Sequence, residues 1–147
     1  MKKNNNTADE AYALSQLEVF NWGPFSGFHR IHFDPDGCSL IGQTGSGKTT
    51  LVDAIMTLLC ALPKYNLAST GGHESDRSLI SYIRGVSGSG GDNESSHIAR
   101  PGQTKTGLSI ELSSKDKIIR LTGLLWIDST STSQTDMKRL WIFDQNN

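Results

Sequence analysis

One octapeptide constrains this chain more than any other feature: Gly42-Gln43-Thr44-Gly45-Ser46-Gly47-Lys48-Thr49 fits the pattern of Gly, four residues, Gly-Lys and Ser/Thr. The pattern requires a strand before it and a helix after it. Before it stands the short apolar run Cys38-Ser39-Leu40-Ile41, entered through the turn signal Asp34-Pro35-Asp36-Gly37. After it, residues 48–62 carry Leu51, Ile55, Leu58, Leu59 and Leu62 at helical spacing, and Pro63 stops the run. Val52 and Met56 widen the apolar stripe until little polar surface is left, which predicts a central, mostly buried helix.

The chemistry follows from backbone and charge. Glycines let the main chain wrap phosphate oxygens closely, and successive N–H groups at the helix start present partial positive charge. Gly42, Gln43, Thr44, Gly45, Ser46, Gly47, Lys48, Thr49 and Thr50 are therefore the expected nucleotide-binding residues. Lys48 supplies a mobile charge for the β- and γ-phosphates, the Thr49 hydroxyl a ligand for Mg²⁺, and Thr50 a contact toward the α-phosphate. ATP with Mg²⁺ is the expected cofactor.

The rest of the chain reads as an α/β fold whose sheet is an antiparallel meander. Residues 14–22 and 27–33 are rich in β-formers around Gly23-Pro24 and predict a hairpin. Residues 76–84 predict a short helix with Ser75 as N-cap and Gly85 as stop. Leu108, Ile110 and Leu112 alternate with polar residues, residues 118–127 alternate again, and residues 140–143 close the meander. Residues 1–13 are read as a flexible tail, residues 14–147 as one lobe, and residues 86–104, with their Gly/Ser run, as a mobile loop.

A length of 147 residues suits one domain, and a formal charge of −1 excludes a broadly cationic nucleic-acid binder. The polar Asn4-Asn5-Asn6-Thr7 stretch fits no export signal, and the apolar run near residues 51–62 falls short of the roughly 18 residues a membrane helix needs. The expectation is a soluble cytoplasmic protein with no membrane partner. Cys38 and Cys60 lack metal or redox spacing and are read as small buried hydrophobes rather than a disulfide.

Other residues carry weaker signals. Trp22, Phe25 and His29 suit stacking on a base, although core packing is the commoner role for hairpin aromatics. Asp53 is read as a solvated or paired carboxylate, and Arg77, Arg84, Arg100 and Lys105 as solvated surface charge rather than contacts to DNA phosphates. His29 and His32, three apart on a strand, point to opposite faces and make a poor metal pair. Ser87-Gly88-Ser89-Gly90-Gly91 reads as a linker rather than a nucleotide-contacting signature.

Leu17-Glu18-Val19-Phe20-Asn21-Trp22-Gly23-Pro24-Phe25-Ser26-Gly27, the octapeptide, and Leu51-Val52-Asp53-Ala54-Ile55-Met56-Thr57-Leu58-Leu59 together resemble the N-terminal lobe of an SMC-type ABC ATPase head. Within that group the chain is most similar to the MukB-like, JetC-type ATPases of Wadjet plasmid-defence systems. The resemblance extends to Asp76-Arg77-Ser78-Leu79-Ile80-Ser81-Tyr82-Ile83-Arg84-Gly85, to Leu124-Leu125-Trp126-Ile127 and to Asp136-Met137-Lys138-Arg139-Leu140. Thr44 departs from the Asn common at that place. The Q-loop glutamine that the resemblance implies stays unassigned, because Gln103 and Gln134 both fall in expected loops.

That resemblance implies a P-loop NTPase fold completed by a C-terminal lobe and coiled coil. It also implies a second head sandwiching ATP, kleisin-type subunits, and DNA loop extrusion against plasmids. The chain has no sustained heptads and no apolar strand ending in Asp-Glu, so the carboxylates that hold metal and activate water are expected from elsewhere. Two other readings are an ABC-transporter nucleotide-binding domain and a truncated P-loop relic without catalysis.

Overall fold

A computed structural model describes residues 11–65, 78–87 and 97–146. The chain opens with β1 (Ala13–Trp22) and β2 (Phe25–His32). Trp22 pairs with Phe25 across Gly23-Pro24, and the turn is tight because Gly23 takes a φ of 54°. Asn21 has a φ of 51° where the β1–β2 register shifts, and its side chain accepts the Gly27 N–H at 2.9 Å.

The expected meander forms: its middle strand spans the expected residues 118–127, and the strands on either side of it are longer than the alternation indicated. β5 (Thr104–Ser113), β6 (Ile118–Ile127) and β7 (Lys138–Asn146) complete a five-stranded sheet in the order β2-β1-β5-β6-β7, antiparallel throughout. Between β2 and β5 lie helices α1 (Lys48–Leu59) and α2 (Leu79–Arg84). A small ribbon follows, β3 (Val86–Ser87) against β4 (His97–Ile98). The flanks of the expected mobile loop thus pair with each other, while its glycine run lies outside the described residues. So do the first ten residues, Ser75, Asp76 and Arg77. Ser78, not Ser75, caps α2: it accepts the Ser81 N–H, and Gly85 ends the helix at a φ of 63°.

The core forms where one sheet face meets α1 and α2. Leu17, Val19, Leu108, Ile110, Leu125 and Ile127 from the sheet bury against Ala54, Ile80 and Ile83 from the helices. Four expectations fail in the same region. Residues 38–41 form no strand; they pair with no strand among the described residues, and Ile41 is 92% exposed. An apolar run of that length becomes a strand only where neighbours accept its backbone bonds, and all five sheet positions go to other segments. The helix ends at Leu59 rather than Leu62, because Cys60 turns extended two residues ahead of the one Pro63 constrains.

Nor is α1 buried all round. Its covered residues are Thr50, Asp53, Ala54 and Thr57, while Val52 and Leu59 face outward, and Leu62, beyond its end, is exposed as well. The apolar stripe read from its sequence is wider than the cover these residues supply. Cys38 is likewise exposed rather than buried, and both cysteines are free thiols.

Candidate functional site

The glycine-rich loop folds onto the start of α1. Gly45 and Gly47 take φ of 83° and 89°, conformations that side chains rarely adopt, and Gly47 serves as the N-cap. A Cβ on Gly47 would stand 2.8 Å from the Phe25 ring, and one on Gly42 would stand 2.7 Å from Ser46 Oγ. Gly47 is thus held to glycine by space as well as by torsion, and Gly45 by torsion alone. Ser46 N–H donates to the Gln43 carbonyl at 3.2 Å, which tightens the turn.

Lys48 bends back over this loop, donating from Nζ to the carbonyls of Gly42 at 2.7 Å and Gln43 at 2.8 Å. Its ammonium thereby sits inside the curve of the loop, where the adjacent first-turn amides of Lys48, Thr49 and Thr50 also start. A concave backbone, a cation and a helix N-terminus together suit phosphate oxygens. The residues present therefore fit a nucleotide triphosphate. Thr49 is half-buried, and its hydroxyl makes no hydrogen bond among the described residues, leaving its oxygen for a metal ligand. Thr50 differs: it is buried, and its methyl faces Gly23, so only its backbone N–H can serve a phosphate.

The hairpin supplies the support. Trp22 is fully buried, donates from Nε1 to the Thr50 carbonyl at 2.8 Å, and stacks on Tyr82 with 4.5 Å between centroids. Trp22 is therefore core, as the commoner role for such residues has it, whereas Phe25 stands against Gly47 and meets His29 edge-on at 5.4 Å. Phe25 thus flanks the loop, with His29 behind it. His29 Nε2 also lies 2.9 Å from the Ser26 carbonyl, which fixes the imidazole in place.

Below the loop lies a constellation that the sequence did not reveal. Tyr82 of α2 donates its hydroxyl to the buried Asp53 carboxylate of α1. Thr57 Oγ1 donates to the Asp53 carbonyl at 2.6 Å and lies 3.2 Å from the Tyr65 hydroxyl. Tyr65 leans edge-on against Tyr82 at 5.3 Å. Burial pushes the Tyr65 phenol above its ordinary value; the Thr57 hydrogen bond opposes this and the Asp53 charge adds to it. Asp53 is thus the paired carboxylate of the two alternatives, and it fastens α2 to the helix that starts at the glycine-rich loop. Its signal in sequence was slight: a carboxylate amid Leu51, Val52, Ala54 and Ile55.

Arg84 and Arg100 are not solvated surface. Arg84 is buried and donates to the carbonyls of Arg100 at 3.0 Å and Ser129 at 2.8 Å, and also to those of Gly102 and Ser131. Arg100 donates to Ile83 at 2.8 Å, Gly23 at 2.8 Å and Tyr82 at 3.0 Å, again to carbonyls; burial lowers its pKa from the usual guanidinium value. Both are structural clamps, and neither is disposed toward a nucleic acid. Lys105 remains exposed, and Arg77 lies outside the described residues.

Gln103 is exposed in the loop before β5, and Gln134 is exposed in the one-turn 3-10 helix Gln134–Asp136. Among the described residues no three His, Cys, Asp or Glu side chains gather as a metal site, and no helix is long and apolar enough to cross a membrane.

Comparison with known proteins bears on this geometry. Residues 14–72 match the family described as the P-loop containing region of AAA domain. The chain is also 44% identical over 46 residues to the chromosome partition protein Smc of Chlorobaculum tepidum, an overlap covering 31% of this chain and 4% of that protein. The family match takes in the hairpin, the glycine-rich loop and α1, and it supports an α/β P-loop fold built for nucleotide binding. The likeness to Smc is a partial one, confined to a small part of that protein's length.

Proposed function

We propose that this chain binds ATP·Mg²⁺ through residues 42–50 as the N-terminal lobe of an SMC-like ATPase of the MukB-like, JetC type. The observation that carries the reading is the Lys48 ammonium held inside a loop whose Gly45 and Gly47 both adopt left-handed torsions, at the N-terminus of α1. Phosphates enter by exchanging loop carbonyls for phosphate oxygens around Lys48, with backbone N–H groups aligned in advance. Bound Mg²⁺ would neutralise β- and γ-phosphate charge. Thr49 would be its protein ligand in this lobe, and the adenine is expected against Phe25 and His29.

Hydrolysis requires residues from outside the chain. A C-terminal lobe with its coiled coil would supply the acidic residues and pair with residues 38–41, and a second head would close over the nucleotide. DNA as the substrate of movement, kleisin-type partners, a role in plasmid defence and a cytoplasmic setting all rest on the resemblance.

Isothermal titration tests the reading. The 147-residue chain is expected to bind ATP·Mg²⁺ weakly and to bind it more tightly with the C-terminal lobe present. Lys48→Ala is expected to lose at least about tenfold in affinity, the scale of a charge-assisted contact. Robust ATP turnover by the isolated chain would overturn the reading, as would unchanged binding by the Lys48 variant.

A further inference from the structure

The two-residue connection Gly23-Pro24 leaves Trp22 and Phe25 as a directly opposed pair at the tip of the hairpin. Opposed residues of antiparallel strands stand about 5 Å apart, and three residues advance a helix by about 4.5 Å. The pair therefore matches the first turn of α1 in length. Phe25 closes on Gly47, the N-cap, where a Cβ would meet its ring at 2.8 Å. Trp22 reaches the third helical residue, donating from Nε1 to the Thr50 carbonyl at 2.8 Å. Between the two contacts, a Cβ on Gly23 would stand 2.8 Å from the Thr50 methyl.

The tip is itself held in place. Gly23 N–H donates to the Tyr82 carbonyl at 2.8 Å, and Arg100 donates to the Gly23 carbonyl at 2.8 Å. The Trp22 ring lies within 12° of parallel to that of Tyr82 and is fully buried. A buried indole N–H has given up water and needs an acceptor, and a carbonyl with two lone pairs can serve the helix and the indole together.

We propose that Trp22 is a positioning residue for the metal: by holding the Thr50 carbonyl it fixes the turn that aims the Thr49 hydroxyl at Mg²⁺. The inference rests on the ATP·Mg²⁺ reading above and adds a residue from outside the glycine-rich loop that governs the metal contact. Thr49 lies between Lys48, which the loop carbonyls hold, and Thr50, which the hairpin holds. The Thr49 hydroxyl makes no hydrogen bond among the described residues, so its direction follows from the backbone on either side. The loop amides are shaped by other means: the torsions of Gly45 and Gly47 and the Ser46–Gln43 bond, none of which involves Trp22. Loss of the indole N–H therefore weakens the metal-dependent part of nucleotide binding and spares the rest.

Nuclear magnetic resonance titration of the 147-residue chain measures its ATP affinity with Mg²⁺ and with Mg²⁺ chelated. Trp22→Phe is expected to weaken ATP·Mg²⁺ binding about fivefold, the scale of one hydrogen bond, and metal-free ATP binding less than about twofold. In a Thr49→Ala background the same change is expected to cost less than about twofold with Mg²⁺ as well, because the residue through which Trp22 acts is gone. Replacing Trp22 by benzothienylalanine removes the N–H and keeps the bulk of the ring, and it is expected to repeat the loss without a cavity. Circular dichroism of each version verifies the fold. Equal losses with and without Mg²⁺, the result of a merely structural role, would overturn the proposal, as would full metal-dependent affinity in the benzothienylalanine version. A wild-type chain with no affinity for ATP·Mg²⁺ removes the parent reading and this inference with it. Wild-type binding whose Mg²⁺ dependence is unchanged by Trp22→Phe removes this inference alone.

Discussion

Tyr82 shows how much one side chain can integrate. Its ring stacks on Trp22, its hydroxyl reaches Asp53, and its carbonyl accepts both the Gly23 N–H at 2.8 Å and an Arg100 guanidinium N–H. Hairpin, α1 and α2 thus meet at a single residue. Tyr82→Phe keeps the stack and removes the donor from a buried carboxylate, a change that costs about 1–3 kcal/mol. Urea denaturation is expected to show that loss with an unchanged slope, and an unaltered midpoint would mean the hydroxyl adds nothing. The glycine-rich loop was legible in the sequence because its requirements are local: torsion, close approach and a lysine one residue past the last glycine. The Tyr82–Asp53 link joins residues 29 apart, and nothing in either neighbourhood names the other.

At the scale of elements, the clearest contrast is between the two apolar runs on either side of the glycine-rich loop. Residues 48–59 become a helix because helical hydrogen bonds are satisfied within the segment. Residues 38–41 have the same apolar character but need a neighbouring strand, so β-propensity alone misleads there. The meander and hairpin were readable for the complementary reason: their partners lie one turn away in sequence. Hydrogen exchange measures the difference directly. Amides of residues 38–41 are expected to exchange close to the rates of an unstructured peptide, and to gain protection when the C-terminal lobe is added. Strong protection in the isolated chain would contradict the unpaired arrangement.

For the whole molecule, the sheet's outer face couples folding to pH. Glu111 accepts from Arg120 at 2.6 Å and from Ser15 at 3.0 Å. The Arg120 bond foremost, with the Ser15 bond and nearby positive charge, holds its carboxyl below the usual glutamate range against a smaller effect of burial. A depressed folded pKa adds stability above the unfolded value, and that stability is lost as pH falls through the folded one. Glu111→Gln is therefore expected to lower stability at neutral pH and to flatten the acid limb of the stability profile. Urea midpoints at about pH 7 and about pH 3 check this, and parallel profiles for the two proteins would rule Glu111 out.

The Arg84 clamp carries a different consequence. Its guanidinium contacts only main-chain carbonyls, from residues 100, 102, 129 and 131. A carbonyl is the one group that every amino acid brings, so the clamp recognises the path of these two segments and is indifferent to their composition. The Ser/Thr-rich stretch after β6 is in that sense free in its letters and bound in its length: substitutions leave the carbonyls in place, whereas a single inserted or deleted residue moves them out of register with a cation that has no carboxylate among the partners described here.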